Sequence, residues 1–144
     1  MTRHVRDAMT PTVRTASPSQ SVAEAARVMA NEDVGSIPVV EDDRLIGILT
    51  DRDIVVRAVA EGRDPQTVMV DEIASRELVT VEPDQSLDEA LKLMAQHQVR
   101  RLPVVEDERL VGMLAQADVA IEAKPKDVGE AVEEISQPTS AARG

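Results

Sequence analysis

Three residues in the first half of the chain have types and a spacing that could bind a sugar or an anion. Gly47, Thr50 and Asp53 lie at the end of an apolar run, where Thr50 is placed to cap a helix and Asp53 to be its third residue. A helix N-terminus offers free N–H groups and a partial positive charge, which favour a phosphate or another anion. A carboxylate beside it can accept hydrogen bonds from two vicinal hydroxyl groups of a ribose.

The same three residues also have a purely structural interpretation. Thr-x-x-Asp is a weaker form of the capping box, in which hydroxyl and carboxylate bind backbone N–H groups at the helix start. Gly47 would then only permit close packing, whereas in the functional interpretation it lets a flat base approach the backbone. The motif alone leaves both interpretations open.

An internal repeat of 65 residues shows which elements must position this motif. Residues 21–57 and 86–122 align without a gap and share 16 identities in 37 positions. A unit below ~60 residues is marginal alone because it buries too small a fraction of its surface. We therefore predict two units that pack on each other, residues 1–66 and 67–125, followed by a different C-terminal segment, 126–144.

Each repeat predicts the order β-α-β-β-α, so the fold class is α+β. Ser21 and Ser86 are predicted N-caps, and apolar residues at i, i+3, i+4 and i+7 follow each of them. Two apolar β-branched runs separated by a polar turn then predict a hairpin, and a second helix follows it. In the C-terminal segment, Asp127 could cap a short helix that either closes the core of its own chain or contacts a second chain, and the end is expected to fray.

The composition excludes several classes of protein. The chain has 144 residues and a formal net charge of -11, and it contains neither cysteine nor an aromatic residue. Disulfides and thiolate metal sites are therefore excluded, and we expect no binding of nucleic acid, because the chain lacks stacking platforms and a basic surface. No apolar run approaches the ~18 residues of a membrane span, and no secretory signal follows the N-terminus, so we expect a cytoplasmic protein.

The tandem units, the run Val-Arg-Arg-Leu-Pro-Val-Val at 99–105 and the run Gly-Ile-Leu-Thr-Asp-Arg-Asp at 47–53 resemble a pair of CBS (cystathionine β-synthase) domains, a Bateman module. The resemblance covers nearly the whole chain. In this family the pattern Gly-h-x-Thr/Ser-x-x-Asp/Asn marks an adenosine site, and Gly47, Thr50 and Asp53 match it fully. The resemblance implies two units with pseudo-two-fold symmetry and two clefts between them.

Carried over to this sequence, the resemblance assigns residues to both clefts. The first cleft would take Ile48, Thr50, Arg52 and Asp53 from its own motif. The opposite unit would add Val99 and Arg100, and backbone near residues 77–78 would line the adenine. The second cleft keeps Asp118 but has Ala115 in place of the threonine, so we expect it to be weaker or empty. Arg100 and Arg101 could meet phosphates in either cleft, or they could be a solvated surface pair.

The resemblance implies a regulatory module that senses AMP, ADP, ATP or a related adenosyl ligand, with no required cofactor. It also implies a homodimer, and an unidentified protein partner is possible. The alternative is a ligand-free interaction scaffold. We expect no enzyme, because His4 near the N-terminus and His97 near a helix end have no nucleophile in register. No metal is expected, because zinc-binding members of the family use cysteines that this chain lacks.

Overall fold

The computed structural model describes residues 3–122 and, for residues 121 and 122, the backbone only. The predicted short helix of segment 126–144 lies outside the described residues. The elements follow one another as α1 (Val5–Ala8), α2 (Val22–Glu32), β1 (Ser36–Glu41), β2 (Arg44–Thr50), α3 (Asp51–Ile54), α4 (Val70–Ile73), α5 (Leu87–His97), β3 (Arg101–Glu106), β4 (Arg109–Ala115) and α6 (Gln116–Glu122). The π-helical turn Val55–Val59 continues α3 directly.

The α+β fold class is confirmed, and each repeat forms the predicted helix, hairpin and second helix. The sequence predicts a first strand at residues 12–15 and 78–81 of the two repeats. Among the described residues each is reduced to one parallel bridge, from Ala16 to Val39 and from Val81 to Val104. Two four-residue helices, α1 and α4, were not predicted from the sequence. They lie 65 residues apart, so the repeat extends to them as well.

The two hairpins are antiparallel and share one register. In the first, Ile37 lies opposite Leu49 and Val39 opposite Gly47, with a bulge after Val39. The second repeats this pairing 65 residues later. Both turns place two acidic residues in the left-handed region, Asp42 at φ 52° and Asp43 at φ 67° in the first hairpin. Positive φ at both central positions is typical of the tight turns that match the twist of the strands.

The predicted N-caps are confirmed at both longer helices. The Ser86 hydroxyl accepts the backbone N–H of Glu89 at 3.1 Å, and the Glu89 carboxylate accepts the N–H of Ser86 at 3.2 Å. At α2 the Ser21 hydroxyl accepts the N–H of Glu24 at 3.2 Å. His97 is the exposed last residue of α5, in agreement with its interpretation as a helix-end residue.

The chain divides into two compact units, one consisting of Arg14–Leu78 and the other of the described residues before and after that stretch. Each unit therefore contains the leading segment of the other sequence repeat. In the first, Val22 donates to the carbonyl of Val68 at 2.9 Å and Val70 donates to that of Gln20 at 2.8 Å. The division into 1–66, 67–125 and 126–144 follows the sequence repeat and stays a prediction.

Each unit has its own core. In Arg14–Leu78 the core joins one face of α2, the inner face of the hairpin and the side chains of α4, and it consists of Ala16, Val22, Ala25, Met29, Ile37, Val39, Leu49, Ala58, Val68, Val70 and Ile73. In the other unit the corresponding residues are Val5, Val81, Leu87, Ala90, Leu91, Met94, Leu102, Val104, Leu114 and Val119. The short helices α1 and α4 thus contribute to the core of the unit in which they lie.

Candidate functional site

At the predicted site, where β2 ends and α3 begins, Thr50 and Asp53 form a complete capping box. Asp53 donates its backbone N–H to the Thr50 hydroxyl, and Thr50 donates its N–H to Oδ2 of Asp53, both at 3.0 Å. The Asp53 side chain is only 15% exposed. The structural interpretation of the motif is therefore confirmed, and the carboxylate is held in one orientation at the start of the helix.

The second oxygen of Asp53 faces an arginine one helical turn further on. Nε of Arg57 lies 4.0 Å from Oδ1 of Asp53, and Nη1 of Arg57 donates to the carbonyl of Ile73 at 3.2 Å. Arg57 was not among the predicted site residues. Its position four residues after an acidic residue at a helix start is the sequence signal that could have identified it.

Gly47 packs against backbone of its own unit. A Cβ at this position would lie 2.8 Å from the carbonyl oxygen of Ser75. Ile48 and Ser75 exchange two backbone hydrogen bonds of 2.9 Å each, which hold the Ser75 segment there. Close packing is therefore sufficient to explain this glycine, because the Ser75 backbone lies where a side chain would begin. That a flat base approaches the backbone here stays a prediction.

The remaining predicted residues of the first unit differ in exposure. Ile48 and Thr50 are half-buried at the end of β2, while Arg52 is exposed on α3. The arrangement provides one oriented carboxylate with an exposed guanidinium one residue before it. Such a pair could bind a hydroxyl-bearing anion, with the carboxylate on the hydroxyl groups and Arg52 near the anion.

The other unit carries half of the same arrangement. Ala115 donates its N–H to Oδ2 of Asp118 at 3.3 Å, so the carboxylate half of the box is retained. The hydroxyl half cannot form, because alanine has no side-chain acceptor. The helix α6 nevertheless begins at Gln116, directly after Ala115.

Arg101 begins β3, and Val99 and Arg100 directly precede it, in the same unit as Asp118. The carbonyl of Arg100 accepts the N–H of Gln116 at 2.8 Å, which places this loop beside the start of α6. Both arginine side chains are exposed. Nε2 of Gln116 is buried without a hydrogen-bond partner among the described residues. That Val99 and Arg100 complete a cleft with Thr50 and Asp53 stays a prediction.

A separate groove of about 720 Å³ lies beside α2 and contains none of the predicted site residues. Within residues 3–122, no three histidine, aspartate or glutamate side chains gather in a way that could hold a metal ion. The helices of that same stretch are all too short or too polar to cross a bilayer.

Two tandem units, each pairing a hairpin with a helix whose third residue is an aspartate, define a module of the paired-repeat class. The family model described as "CBS domain" matches residues 5–59 and 70–123, and the chain belongs to the CBS-domain family. It is 50% identical over 133 residues to the CBS domain-containing protein YhcV of Bacillus subtilis, covering 92% of this chain and 94% of that one. It is 38% identical over 138 residues to Hypoxic response protein 1 of Mycobacterium tuberculosis, covering 95% and 96%.

Solved structures of the family agree with this assignment. Hypoxic Response Protein I with two coordinated zinc ions matches with a TM-score of 0.75 and 40% identity, over 83% of this chain and 98% of that one. The CBS domain pair of MJ0100, in complex with 5′-methylthioadenosine and S-adenosyl-L-methionine, matches with a TM-score of 0.73 and 26% identity, over 88% and 99%. A hexameric CBS-CP12 protein from bloom-forming cyanobacteria matches with a TM-score of 0.70 and 31% identity, over 100% and 91%.

Proposed function

We propose that the chain is a regulatory module that binds an adenosine nucleotide or a related adenosyl ligand through Asp53. The observation that carries the proposal is the largely buried Asp53 carboxylate, which Thr50 holds in one orientation at the end of β2. The complex of MJ0100 with two adenosyl compounds supports the choice of ligand class. Ile48 and Val99 would line the base, and Arg52, Arg100 and Arg101 would meet phosphate groups.

The capping box leaves room for such a ligand. A carboxylate has about four acceptor positions, and the box uses one of them on Oδ2. Hydroxyl groups at the 2′ and 3′ carbons of a ribose could donate to the remaining positions. Asp118 keeps a similar carboxylate but lacks a neighbouring hydroxyl, so the second site would be the weaker one.

The ligand would regulate by changing the relative populations of two arrangements of the module. It can shift that equilibrium only by the difference between its affinities for the two. Since His97 is exposed at a helix end, and His4 is the N-cap residue of α1, neither lies beside a nucleophile of the proposed site. We therefore propose binding without catalysis. We also propose that the module requires no cofactor and acts in the cytoplasm.

Calorimetric unfolding in the presence of AMP, ATP or S-adenosylmethionine tests this function. A ligand at 100 times its dissociation constant should increase the free energy of unfolding by ~2.7 kcal/mol. Because the chain contains no aromatic residue, absorbance at 260 nm reports nucleotide that copurifies with the protein. If millimolar concentrations of all three ligands leave the transition unchanged, the function is wrong.

An interaction scaffold without a ligand is the second candidate. The complete capping box at Thr50 and Asp53 favours it, because both side chains already have a structural role. The same calorimetric titration separates the two candidates.

We expect the protein to be a homodimer that buries the helix formed by α3 and its π-helical continuation. Val55, Val56 and Val59 on this helix are 56%, 46% and 59% exposed, an unusual exposure for three neighbouring valines. Light scattering coupled to size exclusion should give twice the chain mass of 15.6 kDa. Val59→Asp should shift the mass toward the monomer. Elution at the monomer mass at every concentration would contradict the dimer.

A further inference from the structure

We infer that Arg57 is a positioning residue for the proposed ligand, which it serves by fixing the free oxygen of the Asp53 carboxylate. The inference rests on the proposed function and adds a residue that the family motif does not include. Arg57 lies four residues after Asp53, and its guanidinium contacts Asp53 and the carbonyl of Ile73 with different nitrogens. It thus joins the ligand-binding carboxylate to α4.

The two contacts suit the shape of a guanidinium group. Nε of Arg57 lies 4.0 Å from Oδ1 of Asp53, and Nη1 donates to Ile73 at 3.2 Å. A planar fork with donors in fixed directions can hold both partners at once, whereas a lysine ammonium is a single point of charge. The Arg57 side chain is 55% exposed, so its effect on Asp53 is mainly geometric, since solvent screens an exposed ion pair.

The bridge that Arg57 forms between Asp53 and Ile73 is accompanied by a backbone connection between the same two segments. Ile48, two residues before the end of β2, exchanges two hydrogen bonds with Ser75, two residues after Ile73. The chain from α4 to Ser75 is therefore attached to the motif on both sides, through the backbone at Ile48 and through Arg57 at Asp53. The Thr50 N–H fixes Oδ2 of Asp53 by a hydrogen bond, and the Arg57 guanidinium lies 4.0 Å from Oδ1, so the carboxylate has a preferred orientation before a ligand arrives.

The second repeat lacks this bridge. The 65-residue period aligns Arg57 with Glu122, an acidic residue in place of the basic one. Asp118 consequently has no arginine one turn further along the sequence. The difference adds to the missing hydroxyl at Ala115, and both point to the first motif as the better ribose site.

The experiment compares the affinities of the full-length protein for AMP and 2′-deoxy-AMP by isothermal titration calorimetry. For the wild type we expect AMP to bind more tightly. Arg57→Ala should weaken AMP binding by up to about fivefold, the effect of one solvent-exposed ion pair, and should bring the ratio of the two affinities toward one. Arg57→Lys should restore only part of the ratio, because lysine keeps the charge without the fork.

Arg63→Ala is the matched control. Arg63 forms an ion pair with Glu72 of α4, and the pKa of that carboxyl is lowered by the backbone N–H of Met69 and by Arg63. The variant thus removes another exposed arginine that is attached to α4 without contacting Asp53. It should keep both the AMP affinity and the ratio of the wild type.

The outcomes separate the inference from the function on which it rests. A wild-type protein that binds neither nucleotide overturns the proposed function, and the role of Arg57 with it. A wild type that prefers AMP, together with an Arg57→Ala variant that keeps the same ratio, overturns the role of Arg57 alone. Faster hydrogen exchange of the Ser75 amide in ligand-free Arg57→Ala supports the bridge, whereas unchanged exchange contradicts it.

Discussion

Asp53→Asn is expected to abolish the stabilisation of the protein by adenosine nucleotides while leaving the chain folded. The amide oxygen can still accept the N–H of Thr50, so the capping box is retained and stability should fall by no more than about 1 kcal/mol. The change removes the negative charge and one of the two acceptor oxygens. Two hydrogen bonds to a charged group contribute about 1.5–3 kcal/mol each, so affinity should fall by roughly 100-fold or more. Calorimetric unfolding with and without AMP measures both effects.

Asp118→Asn is the matched control, since the repeat places the same residue type at the equivalent position of α6. Its carboxylate accepts the N–H of Ala115 at 3.3 Å, so the local change is similar. We expect the smaller loss of nucleotide binding from this variant, because its site lacks the threonine hydroxyl. Normal binding by Asp53→Asn together with loss in Asp118→Asn would move the principal site to the second motif.

The longer elements were predictable because their signals are local. A serine followed three residues later by glutamate marks both N-caps, and the spacing of apolar residues after it sets the buried face of α2 and α5. The hairpins follow from two apolar runs with acidic turns between them. The 65-residue repeat shows each of these elements twice, which is why the order of helix, hairpin and second helix was predicted correctly in both repeats.

The segments that were missed depend on contacts distant in sequence. The helices α1 and α4 have four residues each, too few for a hydrophobic period to appear. Each of these helices lies in the unit that contains the other sequence repeat. Backbone hydrogen bonds such as that from Val70 to Gln20 hold it there, and a pattern of side chains cannot predict such bonds. The first strands were overpredicted for a related reason, since only one residue of each reaches a neighbouring strand.

The candidate site was predictable in its residue types but incomplete in its contacts. The sequence identified Thr50 and Asp53, and the capping box joins them as the spacing required. The sequence did not show that Arg57 would contact Ile73, because the two are 16 residues apart. It also could not decide which of two reasons explains Gly47, since close packing and a bound base both require a missing side chain.

Gly47→Ala is expected to destabilise the first unit strongly even without a ligand. The new Cβ would lie 2.8 Å from the carbonyl oxygen of Ser75, closer than real Cβ contacts allow. That oxygen belongs to backbone and accepts the N–H of Ile48 at 2.9 Å, so it cannot rotate away as a flexible side chain would. Relief requires a shift of the strand or loss of the hydrogen bond, which should cost about 1–3 kcal/mol or more. Denaturant unfolding of the ligand-free protein measures the change.

Gly35→Ala distinguishes this contact from a general cost of replacing glycine. A Cβ at Gly35 would meet the Asp51 carboxylate at 3.2 Å, and this exposed side chain can move aside. We therefore expect a change within about 0.5 kcal/mol, as for most surface substitutions. Gly112→Ala should resemble Gly47→Ala, because its Cβ would lie 2.8 Å from the carbonyl of Thr10. Equal stability of the Gly47→Ala and Gly35→Ala variants would mean that the Ser75 segment gives way easily, and the space beside Gly47 would again be available to a bound base.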